Sequence, residues 1–311
     1  MADLAPLSLA DLDAGASALG TDRRLGGTRA EQREVLRELH ELMIRAVPAS
    51  TGPPAGLATA ASVAVLVTPA AADGMQPRPR TVFRLLRANA LDAAWAVITE
   101  SSVGRVDAEV AGATATGGRR TTRRLPVPVR IESSTVYAAL PGFRDPRYDA
   151  PDECYDMTAL VRLVARADDV AVDADIVTIG GSAALAHLPT RSDESVQLIL
   201  VGDLGERIFA GRRRQRPDLF PGRAHLPVRR DWAGWSAAVD CASLPAATWQ
   251  VFVELAHDHV VRRAAAGVST DGTGIGDAGA NVALGPMAHL EVRPDGWWLV
   301  TTGNADGQVP G

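Results

Sequence analysis

Between Asp231 and Ala256 the chain reads DWAGWSAAVDCASLPAATWQVFVELA, and two period-two runs dominate it. Trp235, Ala237, Val239 and Cys241 fall on one side of the first run. Trp249, Val251, Val253 and Leu255 repeat the pattern after Leu244-Pro245. Successive side chains of a strand point to opposite faces, so residues two apart share a face. The segment therefore predicts an antiparallel pair with a buried aromatic and aliphatic face. It holds no nucleophile-base pair and no metal cluster, so it constrains the architecture and leaves activity open.

Turn signals and periodicity extend this reading along the chain. Ser8 caps a helix running through Leu9, Leu12, Ala16 and Leu19 to Gly20. Thr28 and Glu31 have capping-box spacing ahead of Val35, Leu39, Leu42 and Ala46, up to Pro48. Pro48–Gly56 reads as a linker. Beyond it, alternating Val63, Val65 and Val67, the β-branched and aromatic runs Thr81–Leu86 and Ala93–Thr99, the Pro-interrupted edge candidate Leu125–Ile131, and Val136–Leu140 predict short strands. Phe143–Met157, rich in Pro and Asp, reads as an interdomain connection. Strand signals resume at Leu160–Ala165, Val170–Val172, Asp175–Ile179, Val196–Val201 and Arg207–Ala210. Met287–Val292 and Trp297–Thr302 flank a Pro294-Asp295-Gly296 turn. The resulting expectation is a mainly β protein: two antiparallel β-sandwich (immunoglobulin-like) domains over 58–142 and 158–303, preceded by an N-terminal helical segment over 1–47.

Charge narrows the function classes. The net charge is −5 and all 32 basic residues are arginine. A negative balance argues against non-specific nucleic-acid binding, which neutralises phosphates. Without lysine there is no P-loop lysine and no Schiff base. Lysine absence with abundant alanine points to a high-GC bacterial genome. The two cysteines, Cys154 and Cys241, allow one disulfide at most and no Cys-rich zinc site. The apolar centre Leu57–Val67 is too short for a bilayer core that needs about 20 residues, and no basic patch with an apolar run opens the chain. A soluble, cytoplasmic protein is expected.

Several motifs invite chemistry. Gly274–Gly279 matches GxGxxG, yet the helical periodicity that should follow a dinucleotide fingerprint is missing, so a loop is the reading. Gly181-Ser182 followed by Asp193 resembles the nucleotidyltransferase core, but Ser195 occupies the second carboxylate position and Glu194 points the other way. His257 and His259 would share one side of a strand as a metal pair, with no third ligand fixed. Asp145, Asp149, Asp152, Glu153 and Asp156 are interleaved with Arg144 and Arg147, which predicts a salt-bridged linker. Arg119-Arg120, Arg123-Arg124 and Arg212-Arg213-Arg214 read as loop or edge charges that discourage sheet aggregation. Trp297 and Trp298 must point to opposite faces of their strand, and an exposed indole can stack on a sugar ring.

Thr135–Tyr155, Ala167–Leu185 and the Val239-Asp240…Leu244-Pro245…Trp249 run resemble the β-sandwich regions appended to cell-envelope glycosyltransferases and CDP-glycerol glycerophosphotransferases of high-GC bacteria. The resemblance covers residues 133–265 and implies a fold more than an activity. It carries over no catalytic residue. The expectation is a non-catalytic accessory protein that binds or positions an envelope glycopolymer or its transferase. It would have no cofactor, no metal and no membrane span, with Trp298 and Arg293, then Trp297, as ligand contacts. The alternative is a divergent glycosyl or glycerophosphoryl transferase, or a nucleotidyltransferase.

Overall fold

The computed structural model describes residues 7–47, 53–54, 56–100, 127–216, 231–268, 281–284 and 288–302. The chain divides into two compact units, Met1–Leu160 and Val161–Gly311.

The first unit is helical where sandwich strands are expected. Helices α1 (Leu9–Gly20) and α2 (Arg29–Ala46) begin at Ser8 and Thr28, each closing a reciprocal capping box. They are followed by α3 (Gly56–Leu66), α4 (Pro69–Asp73), α5 (Pro77–Arg87) and a helix over 91–100, α6. The first predicted sandwich is thereby corrected. Ala60, Val63 and Ala64 are buried within α3 while Val65 is 57% exposed, because i, i+3 and i+4 share a helix face and i+5 does not. Ala94, Val97 and Ile98 are buried at helical spacing in the same way. Alanine-rich surroundings favour helix over the strand preference of valine. Arg87 Nη1 holds the end of α3 by donating to the carbonyls of Ala64, Val65 and Val67 (2.9, 3.1 and 2.5 Å), acceptors that lack an intrahelical partner. The buried Gln32 amide joins three segments, donating to Leu25 O and accepting from Thr68 N and Oγ1.

A hairpin of β1 (Val129–Glu132) and β2 (Thr135–Ala138) completes this unit. Phe143–Met157, expected as a connection, packs within it: Ala138 N donates to Tyr155 O, Met157 N donates to Val136 O, and the enclosed Tyr155 ring donates its hydroxyl to Pro141 O. Arg144 pairs with Glu132 and Asp152. Hydrogen bonds from Arg147 hold the Asp145 carboxyl down to about 2, so Asp145 and Asp152, two of the five acidic residues, are paired with the interleaved arginines.

The second unit is a curled sheet, antiparallel apart from one short pair. Its strands are β3 (Leu163–Asp173), β4 (Ile176–Leu185), β5 (Ser195–Gly202), β6 (Gly205–Arg214), β7 (Gly234–Asp240), β8 (Ala247–His257), β9 (Val260–Ala265), β10 (Gly267–Val268), β11 (Asn281–Ala283), β12 (Ala288–Arg293) and β13 (Gly296–Thr301). Among the described residues the order is β10-β3-β4-β7-β6-β5-β8-β13-β12-β11, with β9 also on β8. One continuous path therefore replaces the second predicted two-sheet sandwich. Its continuity comes from β6, which pairs with β5 up to Ala210 and with β7 from Gly211. Residues 260–268 link the β3 end of the path to β8 and β13. Strand β9 lines β8, Ala266 bonds Val251 and Trp297, and β10 then pairs with β3 in parallel.

Strands β7 and β8 are not partners of one another, contrary to the expected pair. Strand β7 lies between β4 and β6, and β8 lies beside β5, two strands further on. Their apolar faces are nonetheless both inward: Trp235, Trp249 and Trp297 are each 0% exposed, among Val239, Val251, Val253, Leu255 and Leu299. The β12–β13 turn falls at Pro294-Asp295-Gly296 as its residues predict. Among the described residues, no helix is long and apolar enough to cross a membrane.

Candidate functional site

The first group that sequence reasoning missed lies inside the second unit. Glu194, just before β5, Arg213 of β6 and His257 at the end of β8 bring three ionisable side chains together with 2%, 1% and 5% side-chain exposure. Arg213 Nη2 stands 2.6 Å from Glu194 Oε2, at ion-pair distance but off hydrogen-bond alignment, while Nη1 donates to Ala183 O at 3.0 Å. His257 Nδ1 is 2.7 Å from Glu194 Oε1. A carboxylate only accepts, so Nδ1 carries the proton of this contact. Burial pulls the Arg213 guanidinium below its ordinary range, and Glu194 opposes that shift. Alternation along β6 places Arg213 on the inner face and Arg212 and Arg214 outside, which corrects their reading as three edge charges.

This arrangement dissolves two sequence candidates. His257 is enclosed and His259 sits in the exposed turn after β8, so the two imidazoles do not share a strand face. Asp193 is exposed and held by Arg191, whose hydrogen bonds keep the carboxyl below its usual range. Ser182 lies within β4 opposite Arg166 and Gly234, in a strand interior rather than at the strand end that a nucleotidyltransferase motif requires. Among the described residues, no group of three or more His, Cys, Asp or Glu is arranged to hold a metal ion. Gly274–Gly279, Arg119-Arg120, Arg123-Arg124 and His225 lie outside the described residues. Cys154 and Cys241 are free and buried, and burial pushes the Cys154 thiol up to about 11.

The tryptophan pair separates as strand geometry dictates. Trp297 is enclosed, which removes it as a surface contact. Trp298 is partly exposed on the opposite face of β13, between Gln250 of β8 and Glu291 of β12. Its Nε1 donates to Asp295 Oδ1 at 3.1 Å, which fixes the ring, and the Arg293 guanidinium lies 4.4 Å from the ring centroid. Arg293 also binds Glu291 through Nε and Nη2 (3.0 and 2.6 Å). With His289 on the other side, these bonds hold the Glu291 carboxyl below its ordinary range.

A second surface feature was invisible in the sequence. Asp168 and Asp169 of β3, with Arg214 at the end of β6 and Arg216 beyond it, rim a trough of about 240 Å³ floored by Gly181 and Gly234. Arg216 pairs with Asp168 at 2.9 Å and Arg214 with Asp169 at 3.3 Å.

No family model matches the chain, and no curated protein matches it. Similar solved structures include S. aureus TarS, at 10% identity and a TM-score of 0.45, covering 97% of this chain and 50% of that one. The structure of S. aureus TarS 217–571 gives 10% identity and a TM-score of 0.42, covering 98% of this chain and 81% of that one. The chain thus spans half the length of the first.

Proposed function

We propose that the protein is a non-catalytic binding protein whose second unit holds an anionic cell-envelope glycopolymer, or docks onto the transferase that makes it. The observation that carries this reading is Trp298: a large aromatic ring left partly open to solvent, fixed by Asp295 and topped by a guanidinium. A sugar ring stacks on the indole face that Arg293 leaves uncovered, and the guanidinium meets phosphate or carboxylate on the polymer. The sequence resemblance of residues 133–265 supplies the envelope context. Ionisable groups of the kind that serve catalysis are engaged in ion pairs: Asp193 with Arg191, and Glu194 with Arg213 and His257.

The test is Trp298→Ala. A partly exposed ring contributes little to folding, so the melting temperature should stay near that of the parent, within the roughly ±0.5 kcal/mol of surface changes. Affinity for poly(glycerol phosphate), measured by calorimetry, should fall about tenfold or more with loss of the stacking contact. Undiminished binding in this variant would place the polymer elsewhere and favour docking on a partner.

A further inference from the structure

We infer that the trough between β3 and β6 is a second binding site, distinct from Trp298, built for a neutral vicinal diol such as one sugar or polyol residue. Three features make the trough. The pairing of β3 with β4 slips between Ala167 and Asp169, leaving Asp168 as an extra residue. A β-bulge of this kind re-aims side chains: here it brings Asp168 and Asp169, neighbours that would otherwise face opposite ways, to the rim of one cavity. The bulge is fixed from beneath, since Trp235 Nε1 donates to the Arg166 carbonyl at 3.2 Å. Gly181 is required there, because a Cβ would stand 2.0 Å from that oxygen.

The second feature is reach. Strands β3 and β6 are separated by β4 and β7, three interstrand spacings of about 4.8 Å each on a flat sheet. Arg214 and Arg216 nevertheless touch the two aspartates. They can do so because the sheet curls and glycines occupy the strands between them. A Cβ on Gly234 would meet Arg216 Cγ at 2.5 Å, and one on Gly180 would sit 3.5 Å from Asp169 Oδ2 and 3.6 Å from Arg214 Nη1. A smooth backbone floor spanned by two parallel Asp–Arg pairs results.

The third feature is charge. Among the described residues of the rim, two aspartates and two arginines sum to zero, so together they offer an anion or a cation no net attraction. Each pair instead sets carboxylate acceptors beside guanidinium donors. Adjacent hydroxyls, each a donor and an acceptor, match that alternation without disturbing the ion pairs. The volume of about 240 Å³ lies below the roughly 300 Å³ of pockets that take drug-sized ligands, so the occupant is one small residue. The inner pair, Asp168 and Arg216, is the better sheltered, with side chains 14% and 23% exposed against 55% and 50% for Asp169 and Arg214.

The experiment follows the Trp235 indole N–H resonance of the ¹⁵N-labelled full chain during titration with ribitol, methyl glucoside and inorganic phosphate. The expected result is a saturable shift with at least one of the two polyols, unchanged by added salt. Phosphate should give no saturable shift. Asp168→Asn and Arg216→Gln should each weaken polyol binding about tenfold or more, the effect of losing hydrogen bonds to a charged group. The Trp249 and Trp297 resonances, left in place, report that each variant is folded. The wild-type titration alone is decisive: absence of a saturable shift with both polyols overturns the assignment. So does saturation by phosphate, or polyol binding that survives unchanged in a folded variant.

Discussion

Replacing Arg213 by methionine is expected to destabilise the protein by about 3–5 kcal/mol, the scale for removing one partner of a buried ion pair. The side chain is fully enclosed against Glu194, and the variant would leave that carboxylate with His257 as its remaining partner. For a unit of this size the melting temperature should fall by roughly 6–20 °C. Removing both charges, with Arg213→Met and Glu194→Leu together, should recover part of the loss, because two desolvated charges return little net stability when apolar groups of similar volume replace them. A single variant that melts like the parent would show that water reaches the site and that the pair is not buried.

A comparable loss is expected at Trp249, whose truncation to alanine should cost about 3–5 kcal/mol. The ring is enclosed in β8, and its Nε1 donates to Thr301 Oγ1 at 3.2 Å. Thr301 Oγ1 in turn donates to Pro245 O at 2.6 Å, tying the β7–β8 connection to β13. The variant would open a cavity and leave this hydroxyl short of one partner. Calorimetric melting checks the expectation, and an unchanged transition would place the ring at the surface and the β8 register one residue out.

Strands β5, β7, β8, β12 and β13 were legible because one face of each is buried, and burial on one face writes period two into the sequence. Partnership was not legible. The inward faces of β7 and β8 line the same core, but the periodicity is silent on the two strands that separate them. The pattern splits strand β3 into two pieces because Asp168 and Asp169 break its apolar alternation, and the alternation of β4 stops at Gly180-Gly181. Both interruptions are one feature, the bulge and the glycines that accommodate it.

Residues 58–100 misled through composition: valine, threonine and isoleucine favour strands, while the signal that prevailed was the i, i+4 spacing of Ala60 with Ala64 and of Ala94 with Ile98. Arg213 was hidden in a run of three arginines, because what separates it from its neighbours is its register with the inward-facing Trp235 of β7, and that pairing is not written in the periodicity. Alternation put Trp297 and Trp298 on opposite faces of β13 and left open which of them is exposed; Trp298 is the partly exposed one. The Asp–Arg trough could not be read, since its members come from positions nearly 50 residues apart and meet through the curl of the sheet.

The central claim, that this is a binding protein for an anionic glycopolymer, is tested most directly by titrating the full chain with poly(glycerol phosphate) at low and high salt, with dextran as the neutral polymer. The account predicts saturable binding of the charged polymer that weakens as salt rises, since screening shortens from about 10 Å at 0.1 M to about 3 Å at 1 M. Binding of neither polymer, or equal binding of both without dependence on salt, would contradict it.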